Sequence, residues 1–213
     1  MTSTPPPPLR ADAQRNREQL IAAAARTFVA GGPEVPMEEI ARAAGVGVGT
    51  LYRRFADRES LMVAVAQTSL ERLLGRVRAA VEQEPLAWDA LVLSMSHLRE
   101  LKLSLSSTDP LPPALHAAVR ADPAVRRLRH ELDVVTEQLV AAAQAEGTLR
   151  TDVGAGDVMR LFALVYRATP TPGQPGAERA TERAVAVLLD GLRTGPHAEL
   201  PGPPVSAADL GRR

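Results

Sequence analysis

From Ile21 to Leu192, apolar residues recur at steps of three and four, the spacing that lines one face of an α-helix, and glycine or proline interrupts each run. Ile21, Ala24, Ala25 and Phe28 make the first row, stopped by Gly31-Gly32-Pro33. Pro36 suits the first helical position of a second segment, whose Ile40, Ala41 and Ala44 share a face before Gly45. Val48, Leu51, Tyr52 and Phe55 mark a third, and Asp57 is a good N-cap for a fourth carrying Leu61, Val65 and Leu73 towards Pro85. Trp88, Leu91, Val92, Met95 and Leu98 predict a fifth, although its end, Leu101 to Leu105, alternates like a strand. A short segment holds Leu115 and Val119, and a long one runs from Val125 to Ala142 and ends at Gly147. Val158, Leu161, Phe162 and Val165 form another, and after a proline-rich break at 169–176 a last one carries Val185, Leu188 and Leu192. Nothing demands a strand, so the expected fold class is all-α.

The chain has 213 residues, enough for one or two domains at about 150 residues each. It has no cysteine, which excludes disulfides and thiolate chemistry. The start, with Pro5 to Pro8, has no apolar signal-like region, and the longest aliphatic stretch, Ala184 to Leu189, is far short of the ~18 residues that span a bilayer. The expected setting is cytoplasmic, with no membrane partner. Composition divides the chain into a disordered arm over 1–9, a domain of short periodic segments over 10–60, a longer helical domain over 61–194 and a loose tail over 195–213.

The segment from Pro36 to Leu61 carries the chemistry. A helix ending at Ala44, a turn at Gly45 and a second helix from near Gly47 form a helix-turn-helix. Ile40, Ala41, Val46, Leu51 and Phe55 can hold the two helices over Phe28 and Ile21, leaving Val48, Gly49, Thr50, Tyr52, Arg53 and Arg54 for the seam and an outward face. Such a face fits the major groove of B-DNA. Arg58 follows the N-cap Asp57, where the helix dipole disfavours a cation, so a phosphate there would turn a liability into a ligand.

Residues 15 to 65 resemble the DNA-binding domain of the TetR family of bacterial transcriptional regulators. The resemblance rests on Ile21, Ala24, Ala25 and Phe28, on Ile40-Ala41 with Ala44-Gly45-Val46, and on Gly49-Thr50-Leu51-Tyr52 followed by Phe55, Arg58 and Leu61. It implies that the later helices form a regulatory and dimerisation domain. It places Val48 and Gly49 at base edges and Thr50, Tyr52, Arg54 and Arg58 on phosphates, with Arg53 able to reach either. Two departures stand out: Gly47, where the family commonly has Ser, and Met37, where it commonly has Thr. Arg17, with Arg10 and Arg15, is expected to compensate from the first helix.

Duller patterns are set aside. Gly45, Gly47 and Gly49 do not follow a strand, as a dinucleotide loop requires, and Lys102, the only lysine, lies in no phosphate loop. The histidines at 97, 116, 130 and 197 lack metal-ligand spacing. No catalytic residue, metal or cofactor is assigned, and no enzyme is expected.

The expectation is a homodimeric, sequence-specific regulator, most simply a repressor released from a near-palindromic operator by a small molecule. The polar points of its effector pocket would be His97, Arg99, His116 or Tyr166. Leu161 and Leu164, with Val185, Leu188, Leu189 and Leu192, would pair two copies through the last two helices. The rival is a helical small-molecule-binding protein or enzyme with a vestigial helix-turn-helix, motivated by Met37 and Gly47. The formal charge is zero, yet residues 1–58 hold eight arginines against six acids, a net of +2 that leaves −2 for the rest. Weak affinity for random DNA follows at about 150 mM salt.

Overall fold

A computed structural model describes residues 8–105, 112–167 and 176–210. Its elements are α1 (Pro8–Gly31), α2 (Met37–Ala43), α3 (Val48–Arg54), α4 (Arg58–Gln83), α5 (Ala87–Leu105), α6 (Pro113–Ala121), α7 (Pro123–Ala145), α8 (Ala155–Arg167), α9 (Ala177–Leu192) and the single turn α10 (Ala207–Leu210). The all-α expectation holds: among the described residues the only strand-like pairing is one isolated bridge, Leu149 with Arg193. The alternation at Leu101 to Leu105 does not become a strand, because α5 continues through it. No helix among the described residues is long and apolar enough to cross a membrane.

Two compact units form, one from Met1–Leu70 with Leu103–Arg126, the other from Glu71–Lys102 with Arg127–Arg213. This grouping differs from the linear division at residue 60. The reason is a joint within the first unit. Asp122 Oδ1 accepts the Val125 N–H at 2.9 Å, capping α7, and the Gln67 side-chain amide at 3.0 Å, fastening that turn to α4. The hydrogen bond from Val125, with that from Gln67 behind it, holds the Asp122 carboxyl below the ordinary range. The first unit's core contains Leu20, Ile21, Ala24, Phe28, Ile40, Ala41, Leu51, Phe55 and Leu61, all buried, as the helical spacing requires.

The ends of the chain depart from expectation. Pro8 and Leu9 open α1 rather than belonging to an arm, since proline is tolerated in a first helical turn; residues 1–7 lie outside the described residues. The loose tail is corrected for 195–210. Arg150 pairs with Asp152 at 2.5 and 2.7 Å and donates to Ala198 O at 2.8 Å, while Asp152 accepts the Leu200 N–H at 3.1 Å. Asp157 Oδ2 accepts both Gly154 N–H and Val205 N–H at 2.9 Å. The Val205 and Ser206 backbone lies where a Cβ on Gly154 or Gly156 would stand, and Ala207 is buried as α10 packs on α8. Proline and glycine made this stretch read as loose, but its partners lie more than 40 residues earlier.

Candidate nucleic-acid interface

The turn between α2 and α3 is built from backbone bonds. Gly45 sits at φ +70°, Val46 N–H donates to Ala41 O at 3.0 Å, and Gly45 N–H donates to Arg42 O at 3.0 Å. This is a Schellman closure, which needs a left-handed residue after the helix. A Cβ in that conformation would cost about 1–2 kcal/mol, so glycine is the fitting residue. α3 then begins with Gly47 as its N-cap, at φ −69° and ψ 146°, without a side-chain cap.

Burial divides the residues of α3 between core and surface. Leu51 is fully buried and anchors α3, with Phe55 following it into the core. Gly47, Gly49, Tyr52, Arg53 and Arg54 are exposed, and Val48 and Thr50 are half-buried. Tyr52, a large aromatic left 45% exposed, has no packing role proportionate to its size. Arg53 Nη2 donates to Thr50 Oγ1 at 3.0 Å, which orients the hydroxyl and holds the guanidinium along the helix. On α1, Arg17 lies over the Phe55 ring at 5.6 Å and shares a shallow cleft with Arg54, Asp57 and Ser60.

Two of the singled-out residues have structural roles. Met37 is 5% exposed at the start of α2, so its side chain belongs to the core and is not at the surface for a phosphate. Arg58 donates from Nη1 to the carbonyl oxygens of Pro33 and Val35, both at 2.6 Å. It braces the α1–α2 loop through that one nitrogen. Asp57 caps α4 as expected, with Ser60 N–H donating to Oδ1 at 2.7 Å, and Ser60 Oγ accepts the Asp57 N–H at 3.3 Å in return. Ser60 was not singled out, although an acid followed three positions later by a hydroxyl is a readable capping signal. Arg42, only loosely paired with Glu39 at 3.8 Å, is a further exposed cation beside the turn.

Comparison with known proteins agrees with this geometry. Residues 20–65 match the family model described as bacterial regulatory proteins, tetR family, and residues 90–194 match the SbtR-like transcriptional regulator C-terminal domain. A TetR transcription regulatory protein from Mycobacterium vanbaalenii is 33% identical, with a TM-score of 0.58, over 88% of this chain and 100% of that one. A TetR transcriptional regulator from Streptomyces coelicolor is 30% identical, with a TM-score of 0.63, over 84% of this chain and 99% of that one.

The chain belongs to the TetR family of bacterial transcriptional regulators.

As a TetR-family member it is a DNA-binding transcriptional regulator. An HTH-type transcriptional regulator of Staphylococcus aureus is 29% identical over 96 residues, covering 45% of this chain and 52% of the relative. The chain therefore spans about half the length of the curated relatives it matches. FadR of Bacillus subtilis, crystallised with stearoyl-CoA, shares the fold at a TM-score of 0.62 and 14% identity, over 82% of this chain and 98% of that one.

The other expected sites of this TetR-family chain are less gathered. His97 is half-buried on α5 and His116 exposed on α6, and neither lines the cleft that holds Arg17 and Arg54. The side chains of Arg99 and Tyr166 lie outside the described residues. Among the proposed pairing residues, Leu161 and Leu164 are exposed on α8, while Val185, Leu188 and Leu189 are half-buried on α9. Leu192 is corrected: at 3% exposed it packs within its own unit, where α9 ends against the strand-like 149–150 segment.

Proposed function

We propose that this regulator binds a near-palindromic operator as a homodimer, acting as a repressor that a small-molecule effector releases. The observation that carries the reading is the outward face of α3, where Gly49, Tyr52, Arg53 and Arg54 are exposed beside the half-buried Val48 and Thr50. A surface of mixed apolar, hydroxyl and guanidinium groups on one short helix suits both base edges and phosphates. Leu164, 54% exposed, and Val187, 71% exposed, extend an apolar surface over the packed pair α8 and α9, which supports pairing of two copies. A fold neighbour that holds stearoyl-CoA supports a helical region able to take an effector. The effector would act by favouring a form of the dimer with lower operator affinity.

The motives for a vestigial helix-turn-helix weaken on inspection of the side chains. Met37 serves the core, and Gly47 keeps a normal N-cap conformation without a hydroxyl. Selection of operators from random DNA tests the proposal. The expected product is an inverted repeat with half-sites about 34–36 Å apart or a multiple of that distance. Recovery of unrelated sequences would sink the operator reading, and an operator complex indifferent to every effector class tried would remove the release step.

A further inference from the structure

We propose that the second unit carries a binding groove for a lipophilic cation, on the surface formed by the ends of α4 and α7 and the start of α5. The groove encloses about 490 Å³, within the range of small-molecule sites. Its floor is aliphatic: Val81, Ala90, Val135, Leu139 and Ala142 line it. Val81 is left substantially exposed there, although a valine on α4 would ordinarily turn inward.

The rim gives the sign of the ligand. Arg78, its one lining cation, is engaged by Glu131 at 2.8 Å. Glu146 is committed to α5, accepting the Ala87 N–H at 2.8 Å and the Trp88 N–H at 3.4 Å. Glu82 and Glu84 also line the groove, and neither has a partner among the described residues. Two unengaged carboxylates over an aliphatic floor favour a positive charge on an apolar body and disfavour an anion.

The groove rests on the effector reading only for its biological use, because binding can be read without DNA. Trp88, the only tryptophan, adjoins the groove residue Ala87 and reports on it by fluorescence. The full chain would be titrated with tetraphenylphosphonium and with tetraphenylborate, ions of the same shape and opposite charge. The expected result is saturable binding of the cation, with the anion at least about tenfold weaker. Glu82→Gln with Glu84→Gln should weaken the cation by about fivefold or more and leave the helical circular dichroism unchanged. Val81→Arg, at an exposed position that does not support the core, should abolish it. Equal binding of both ions, no effect of either variant, or no saturable binding would each overturn the proposal. Any of these would leave operator binding, measured separately, untouched.

Discussion

Arg58, the first residue of α4, donates to the carbonyl oxygen of Val35, 23 positions earlier, at 2.6 Å. The same nitrogen reaches Pro33, so one guanidinium closes the loop between α1 and α2. Hydrogen bonds from a charged donor contribute about 1.5–3 kcal/mol, and partial exposure places Arg58→Ala near the lower end of that range. Urea unfolding should show the loss, with Arg58→Lys recovering only part of it. A variant that kept its stability but lost salt dependence in its DNA affinity would assign Arg58 to phosphate rather than to the brace.

Arg54 should behave in the opposite way. It is exposed on α3, so Arg54→Ala should leave the urea midpoint within error and weaken operator binding. Each phosphate contact removed lowers the slope of log affinity against log salt by about 0.9. Anisotropy titrations between 50 and 200 mM salt would measure it. Arg53→Ala should do the same and also free the Thr50 hydroxyl that Arg53 now orients. A slope unchanged in both variants would remove α3 from the interface.

The contrast between Arg54 and Arg58 marks what the sequence could convey. Apolar spacing places Leu51, Ile40 and Phe28 in the core because helix periodicity is local information. Gly45 is legible for the same reason, since a turn between two short helices needs a left-handed residue. The brace at Arg58 and the docking of Val205 were not legible because their partners are distant carbonyls and a distant carboxylate, and no spacing rule encodes a bond across 23 or 48 positions. Met37 was read only as a departure from the family's Thr, whereas its own chemistry, a long apolar side chain, suits the buried place it takes.

Gly47 offers a stabilising substitution. Its backbone suits any residue, and nothing lies within 4 Å of an added Cβ. Gly47→Ser would supply the missing N-cap oxygen and reduce the freedom of the unfolded chain, together about 0.5–1 kcal/mol. Gly45→Ala is the control, with strain of about 1–2 kcal/mol at positive φ. Urea midpoints should move in opposite directions, and a destabilised Gly47→Ser would show that α3 starts elsewhere.

The C-terminal strap should leave a signature in acid. Hydrogen bonds from Arg150, helped by the Leu200 N–H, hold the Asp152 carboxyl at about 2, below its ordinary 3.8. A carboxyl depressed in the folded state contributes stability that is fully present above the ordinary value and is lost as pH falls through 2. Asp152→Asn should therefore melt lower than the parent at pH 5, with the gap narrowing towards pH 2. Gly154→Ala, which forces a Cβ against the Val205 backbone, should lower the melting temperature without changing that pH profile. Parallel curves for Asp152→Asn and the parent would mean that the pair is not closed in solution.

The proposed pairing through α8 and α9 makes the sharpest demand on the exposed residues. Leu164 and Val187 are more open to water than Leu161, and neither supports the core of its own unit. A charge there costs little in a monomer but would be stranded in an apolar interface, where an unpaired buried charge is worth several kcal/mol. Leu164→Glu with Val187→Glu should therefore shift the chain to a monomer by light scattering while keeping its helical circular dichroism. Leu192→Glu should instead unfold it, because Leu192 is interior. The monomeric variant should also lose most of its affinity for a full operator yet bind a half-site as the parent chain does, since each α3 faces DNA alone. A double variant that remained dimeric would assign pairing to another surface.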